Sequence, residues 1–212
     1  MAENIDLKKI EKNILKTAHQ HGFFDMMFGF IVGGMAFGPY FRELLPSPYK
    51  YFLWPLILVF MANLLIFIII RYVIQPRTGI AKPGPSLKSM RKKLIIVTSV
   101  QFMIHIIFII LLITGSGSGI QVTGVTFMLI ISLFIIPLFA TLAYLMKYLR
   151  LYIIGLLIWF AIFLNELIYD IIDYRIRWFL SYGIMGGIIF LMGLIIFIRF
   201  LKKFPLPKEE FN

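Results

Sequence analysis

The chain has no cysteine and little acid: 10 Asp and Glu stand against 21 Lys and Arg in 212 residues, and 15% of positions are charged. Without cysteine there is no disulfide, no thiolate metal site and no cysteine nucleophile. The scarcity of charge excludes a soluble core, because a soluble chain of this length needs polar positions throughout to cover its surface. No Walker A loop, HExxH, GxSxG or CxxC motif occurs, and the apolar runs are separated by segments too short for a nucleotide-binding domain, which rules out ATP hydrolysis within this chain. Ser99, Ser132 and His105 offer only weak material for an intramembrane hydrolase, so no enzyme, cofactor or resident metal is expected. The N-terminus opens on a charged, helix-patterned stretch, and no cleavable signal peptide is expected from it.

What the chain does have is 60% hydrophobic and 17% aromatic residues, gathered into long apolar runs with the charges in the gaps. The most telling gap is 71–93, RYVIQPRTGIAKPGPSLKSMRKK, with seven Lys or Arg and no acid. A hydrocarbon core about 30 Å thick takes about 20 helical residues to cross, and Lys and Arg collect in the cytoplasmic loops between crossings. Six crossings fit, at 23–40, 51–70, 94–114, 125–146, 151–169 and 178–198. With 71–93 inside, both termini are cytoplasmic, and 17 of the 21 basic residues fall on that side; Arg42, Lys50, Arg175 and Arg177 are the exceptions. The expected protein is all-α, an integral membrane six-helix bundle in the cell membrane. It has an amphipathic segment at 1–22, one transmembrane domain at 23–198 and a cytoplasmic tail at 199–212. The +11 charge sits where anionic headgroups would meet it, so the bilayer is the expected partner and nucleic acid is not.

In the amphipathic segment Ile5, Leu7, Ile10, Ile14, Leu15 and Ala18 recur at helical spacing opposite Lys8, Lys9, Lys12 and Lys16. Both an interfacial helix and a soluble helix over the cytoplasmic mouth or another subunit fit this pattern. The first crossing carries Gly29, Gly33, Gly34 and Gly38, a small-xxx-small face that lets two helix backbones touch, within one chain or between copies or membrane partner subunits. Gly183, Gly186, Gly187 and Gly193 offer a similar face on the sixth, and Pro137 is expected to kink the fourth.

Ionisable or polar groups inside the bilayer are functional candidates by default. Asp25 lies at the start of the first crossing near the cytoplasmic interface, either hydrated or capping the helix, or part of a path. Thr98, Gln101 and His105 form a polar stripe reaching the midplane, with Asn63 at similar depth; helix-to-helix hydrogen bonding and a proton or solute contact both fit. Glu166, Asp170 and Asp173 fall at the four-then-three spacing of one helical face, with Tyr169 and Asn165 alongside, so that three carboxylates are expected to converge. They read as a cation site of oxygen ligands at the outer mouth or as carboxylates ion-paired with Arg175 and Arg177. Arg77, Lys82, Arg91, Lys92 and Lys93 are candidates for headgroup or phosphate contact, or simply a solvated topogenic loop, with Pro76 to Gly79 as a turn. Function divides accordingly between a protein that provides a binding cavity or path for a small solute or ion and a non-transporting scaffold, regulatory or lipid-interacting subunit.

HGFFDMMFGFIVGG resembles the first crossing of a set of uncharacterised bacterial and archaeal polytopic membrane proteins, where Asp-Gly opens a helix holding another acid and a glycine. IQPRTGIAKPGP resembles their cytoplasmic Pro-Arg-x-Gly-Tyr-Val-Lys segment. Here His21 replaces the first acid and Ile80-Ala81 replaces Tyr-Val, and the resemblance implies no activity.

The topology has a direct check. Reporter fusions after Lys82 and after Ser118 are expected to read opposite compartments, cytoplasmic and external; the same compartment for both would overturn the helix count.

Overall fold

The computed structural model describes residues 21–44, 53–78 and 124–205, with 89, 92–93, 95–100, 103–104 and 107 in short pieces. No strand occurs among them. The helices are α1 (Phe23–Met35), α2 (Gly38–Leu44), α3 (Leu53–Ile69), α4 (Gln75–Thr78), α5 (Gly124–Met146), α6 (Arg150–Leu167), α7 (Tyr174–Trp178) and α8 (Ile184–Lys203). Two π-helical turns, Ile70–Ile74 and Phe179–Gly183, join α3 to α4 and α7 to α8. Among the described residues three helices are long and apolar enough to cross a bilayer, Leu53–Arg77, Arg150–Leu167 and Tyr174–Lys203, and α1 with α2 makes a fourth if the bent pair is one span. The crossing expected at 94–114 lies largely outside the described residues, as do the amphipathic segment up to residue 20 and the tail beyond 205.

Several helix limits differ from the sequence reading. The first crossing is not straight: α1 and α2 meet at 52°. Pro39 has no N–H to give the carbonyl four residues earlier, and its ring crowds that carbonyl. The last turn of α1 closes instead on shorter bonds, Ala36 N–H to Gly33 O (3.1 Å) and Phe37 N–H to Gly34 O (3.1 Å). The second crossing does not stop at Ile70. It continues through the π turn into α4, so Arg71 and Arg77 are helical and Pro76 to Thr78 is a helical turn where a reverse turn is expected. Arg77 Nη1 donates to Val73 O at 2.7 Å, capping that extension. The wider π turn just before Pro76 gives the proline ring room that a regular α turn lacks. At the other end α8 runs through Lys203, into the expected tail.

The described chain forms two compact units, one within Pro83–Glu166 and one from Thr17–Lys82 with Leu167–Asn212. In the second unit, α1 and α8 lie backbone to backbone and antiparallel. A Cβ on Gly186 would fall 2.9 Å from Gly29 O and overlap the backbone of Gly33; one on Gly193 would fall 2.8 Å from Gly22 O; one on Gly29 would overlap the backbone of Phe190. Gly22 itself sits at φ 68°, in the left-handed region that glycine enters without penalty, and starts α1. The core over this contact is Phe23, Met26, Met27, Ala62, Ile74 and Phe200. α3 docks on the same pair by inserting Leu58 against Gly34 and donating Trp54 Nε1–H to Gly34 O (3.0 Å), with Trp54 stacked on Phe41 at 3.7 Å. The rest of α3 points outward: Leu56, Phe60, Leu64 and Phe67 are exposed.

In the other unit, α5 and α6 form a helical hairpin. Tyr148 N–H reaches Ala143 O (3.0 Å) and Lys147 N–H reaches Tyr144 O (3.3 Å), a Schellman closure with Lys147 at φ 51° in the place glycine normally takes. Tyr148 and Ala143 are both buried over it. α5 runs through Pro137 as continuous helix, and Phe139 packs on Gly155 of α6.

The α1–α8 contact makes opposite forecasts for adjacent glycines. Gly186→Ala should cost about 1–3 kcal/mol through overpacking, a fall in Tm of roughly 2–12 °C in detergent. At Gly187 an added Cβ meets nothing within 4 Å, so Gly187→Ala should hold or raise Tm through helix propensity. Equal melting temperatures for the two variants would mean that α1 and α8 do not touch there.

Candidate functional site

The functional groups of the Thr17–Lys82 and Leu167–Asn212 unit lie at its two ends. At one end Asp25, in the first turn of α1, has 0% exposure and His21 has 5%. The carboxylate is not the hydrated group that its shallow position suggests. The glycine contact brings α8 over it: Gly193 lies against the backbone of Asp25 and Met26, and Phe197 and Phe200 cover the adjoining rings. His21 packs among Phe24 (5.5 Å) and Phe200 (5.8 Å), and its Nδ1 accepts the Phe23 N–H at 3.2 Å. The positive end of α1 favours a carboxylate in this turn, which offsets part of the cost of burying it.

At the other end, after the break that follows α6, the helix does not continue through the acids that sequence spacing brings together. α6 stops at Leu167 and residues 168–173 form a turn, so Glu166, Asp170 and Asp173 do not share one helical face. Asp173 instead starts a new helix: its Oδ1 accepts Arg175 N–H at 2.9 Å, an N-cap of the kind that makes Asp compete with a continuing helix. Asp170 is exposed. No three His, Asp or Glu side chains converge as a metal-holding group among the described residues. Asn165 Oδ1 is buried without a hydrogen-bond partner among them.

The arginines have other partners than the expected ones. Arg175 forks onto Glu43 of α2, Nε to Oε1 at 3.1 Å and Nη2 to Oε2 at 2.6 Å, with its guanidinium 5.6 Å from the Tyr40 ring. Arg42 donates to the Tyr174 hydroxyl and lies 5.3 Å from the Trp178 ring. Arg177 is 5% exposed; its Nη1 donates to Tyr169 O at 3.0 Å, and its guanidinium sits 4.1 Å from the Tyr169 ring and 5.4 Å from that of Tyr174. Aromatic faces carry negative quadrupole potential and take the place of a carboxylate here. Sequence reasoning passes over Arg42, Glu43 and Tyr174. Their signal is the Gly-Pro that turns α2 back toward the start of α7.

Of the midplane set, Asn63 is exposed on α3 and donates Nδ2–H to Val59 O at 2.7 Å within its own helix; Gln101 and His105 lie outside the described residues. Lys92 and Lys93 are helical and exposed, and Lys82 and Arg91 lie outside the described residues. Gly33 meets Gly186 Cα at ordinary contact distance, 3.7 Å from an added Cβ, and Gly38 packs on Trp178.

Arg175 and Arg177 should respond differently to truncation. Arg177→Ala removes a buried cation from between two rings and a donor from Tyr169 O, and is expected to cost about 2–4 kcal/mol. Arg175→Ala opens an exposed ion pair and should shift the detergent Tm much less. A larger shift for Arg175→Ala would reverse this ranking.

Comparison of the chain with protein-family models, with curated proteins and with solved structures returns no match.

Proposed function

We propose that this chain is a multi-pass protein of the cell membrane, both termini cytoplasmic, that binds and passes a small cation or a proton-coupled solute, and that Asp25 is the charge the cation or proton meets. The observation that supports this reading is the complete burial of the Asp25 carboxylate inside a helix pair of membrane-spanning character. Taking a carboxylate out of water costs several kcal/mol even after relaxation, and in membrane helices such groups mark ion and proton routes. Its oxygens suit a hard cation or a proton. His21 lies four residues before it, its Nδ1 accepting the Phe23 N–H, and imidazole is a side chain suited to carrying protons.

Asp25→Asn keeps size and hydrogen bonding while removing the charge. In vesicles loaded with a pH-sensitive dye and energised by a potassium diffusion potential, the unmodified protein is expected to admit protons and Asp25→Asn to admit at least tenfold fewer, with Tm held within a few degrees. Equal flux for both proteins, or none for either across pH 5 to 8, would defeat the proposal.

A further inference from the structure

The outward face of α3 carries a groove of about 580 Å³ lined, among the described residues, by Asn63, Ile66, Phe67, Ile70, Arg71 and Gln75. Its floor is apolar and its two polar side chains at one end are Arg71 and Gln75. Arg71 is exposed, makes no ion pair among the described residues, and rests its guanidinium 5.7 Å from the Phe67 ring and 5.9 Å from the Tyr72 ring. Along the helix the twelve steps from Asn63 to Gln75 cover about 18 Å, slightly more than half of a hydrocarbon core of about 30 Å. The groove therefore has the length of one leaflet, with its cation at the end where the span Leu53–Arg77 leaves the membrane.

We propose that this groove is a binding site for one anionic phospholipid, its acyl chain along Ile66, Phe67 and Ile70 and its phosphate at Arg71, with the Gln75 amide as a second donor. Charge complementarity selects an anionic headgroup: a guanidinium without a carboxylate partner among the described residues attracts phosphate, and each cation near a membrane surface favours anionic lipid by about fivefold. The shape selects a lipid over a helix of a partner or a second copy. Helices that pack in membranes meet through small residues, whereas this face presents Ile, Phe and Arg, and the small residue of this stretch, Ala62, is buried on the inner side. The irregular backbone contributes as well, since the π turn over Ile70–Ile74 displaces Arg71 and Gln75 from regular α register.

The test uses the full chain in nanodiscs of phosphatidylcholine doped with phosphatidylglycerol of the same acyl chains, with retained lipid counted by native mass spectrometry after detergent release. The unmodified protein is expected to retain one phosphatidylglycerol in preference to phosphatidylcholine. Arg71→Gln should lower that preference about fivefold, Ile70→Trp should reduce retention of both lipids by filling the groove, and Lys202→Gln, another cation at a helix end, should change neither. Arg71 is exposed, so Arg71→Gln decides the question even if Ile70→Trp does not fold. An unchanged preference in Arg71→Gln overturns the proposal. So does equal competition by soluble glycerol phosphate, which would make this a phosphate site without an acyl component, or a dimer that Ile70→Trp dissociates regardless of lipid.

Discussion

The contact between the backbones of α1 and α8 is the constraint on which the larger helical unit rests. Lipid gives two apolar helices no hydrophobic reason to associate, so close van der Waals contact has to supply it, and only glycine at Gly29, Gly186 and Gly193 permits the approach. The antiparallel register that follows has two effects. It lays the far part of α8 over the first turn of α1, enclosing Asp25 and His21, and it brings the start of the α7–α8 span beside α2, where Trp178 packs on Gly38.

The two ends of this unit then solve opposite electrostatic problems. A carboxylate is enclosed at one end, and at the other a guanidinium is enclosed among aromatic rings. For Asp25 the helix start is favourable, whereas Arg177 sits in the first turn of its helix, where the dipole works against a cation. The Tyr169 and Tyr174 faces and the Tyr169 carbonyl compensate. The neighbouring Arg175–Glu43 fork is exposed at both side chains, 48% and 58%, and serves more to orient α2 against α7 than to hold them.

Composition and the spacing of apolar runs carry the all-helical, membrane-spanning character, and the two glycine-bearing segments are legible as close-approach surfaces. Their pairing with each other is not, because one helix face says nothing of which partner meets it. Helix limits read from hydropathy fail for a definite reason. The apolar run ends at the first charge, while backbone hydrogen bonding carries on past it, as at Arg71 and at Arg199 to Lys203. The outer acids show the converse error. Their common face holds only if the helix continues, and Asp173 is better suited to begin a helix than to sit within one; an Asp followed by Tyr-Arg-Ile-Arg is the available clue. Pro39 was equally visible and marks the bend between α1 and α2. The burial of Asp25 depends on the fold of α8 nearly 170 residues later in the chain, which no local pattern contains.

Lys147 bears on how the α5–α6 pair comes into being. A left-handed lysine costs about 1–2 kcal/mol that glycine would avoid, and the closure that sustains it needs both Ala143 and Tyr148 in place. Both of its bonds lie within residues 143–148, so the turn is specified by the end of α5 itself and fixes the direction in which the chain sets out into α6. The strain is the price of a turn that carries two cations, Lys147 and Arg150, between two apolar helices.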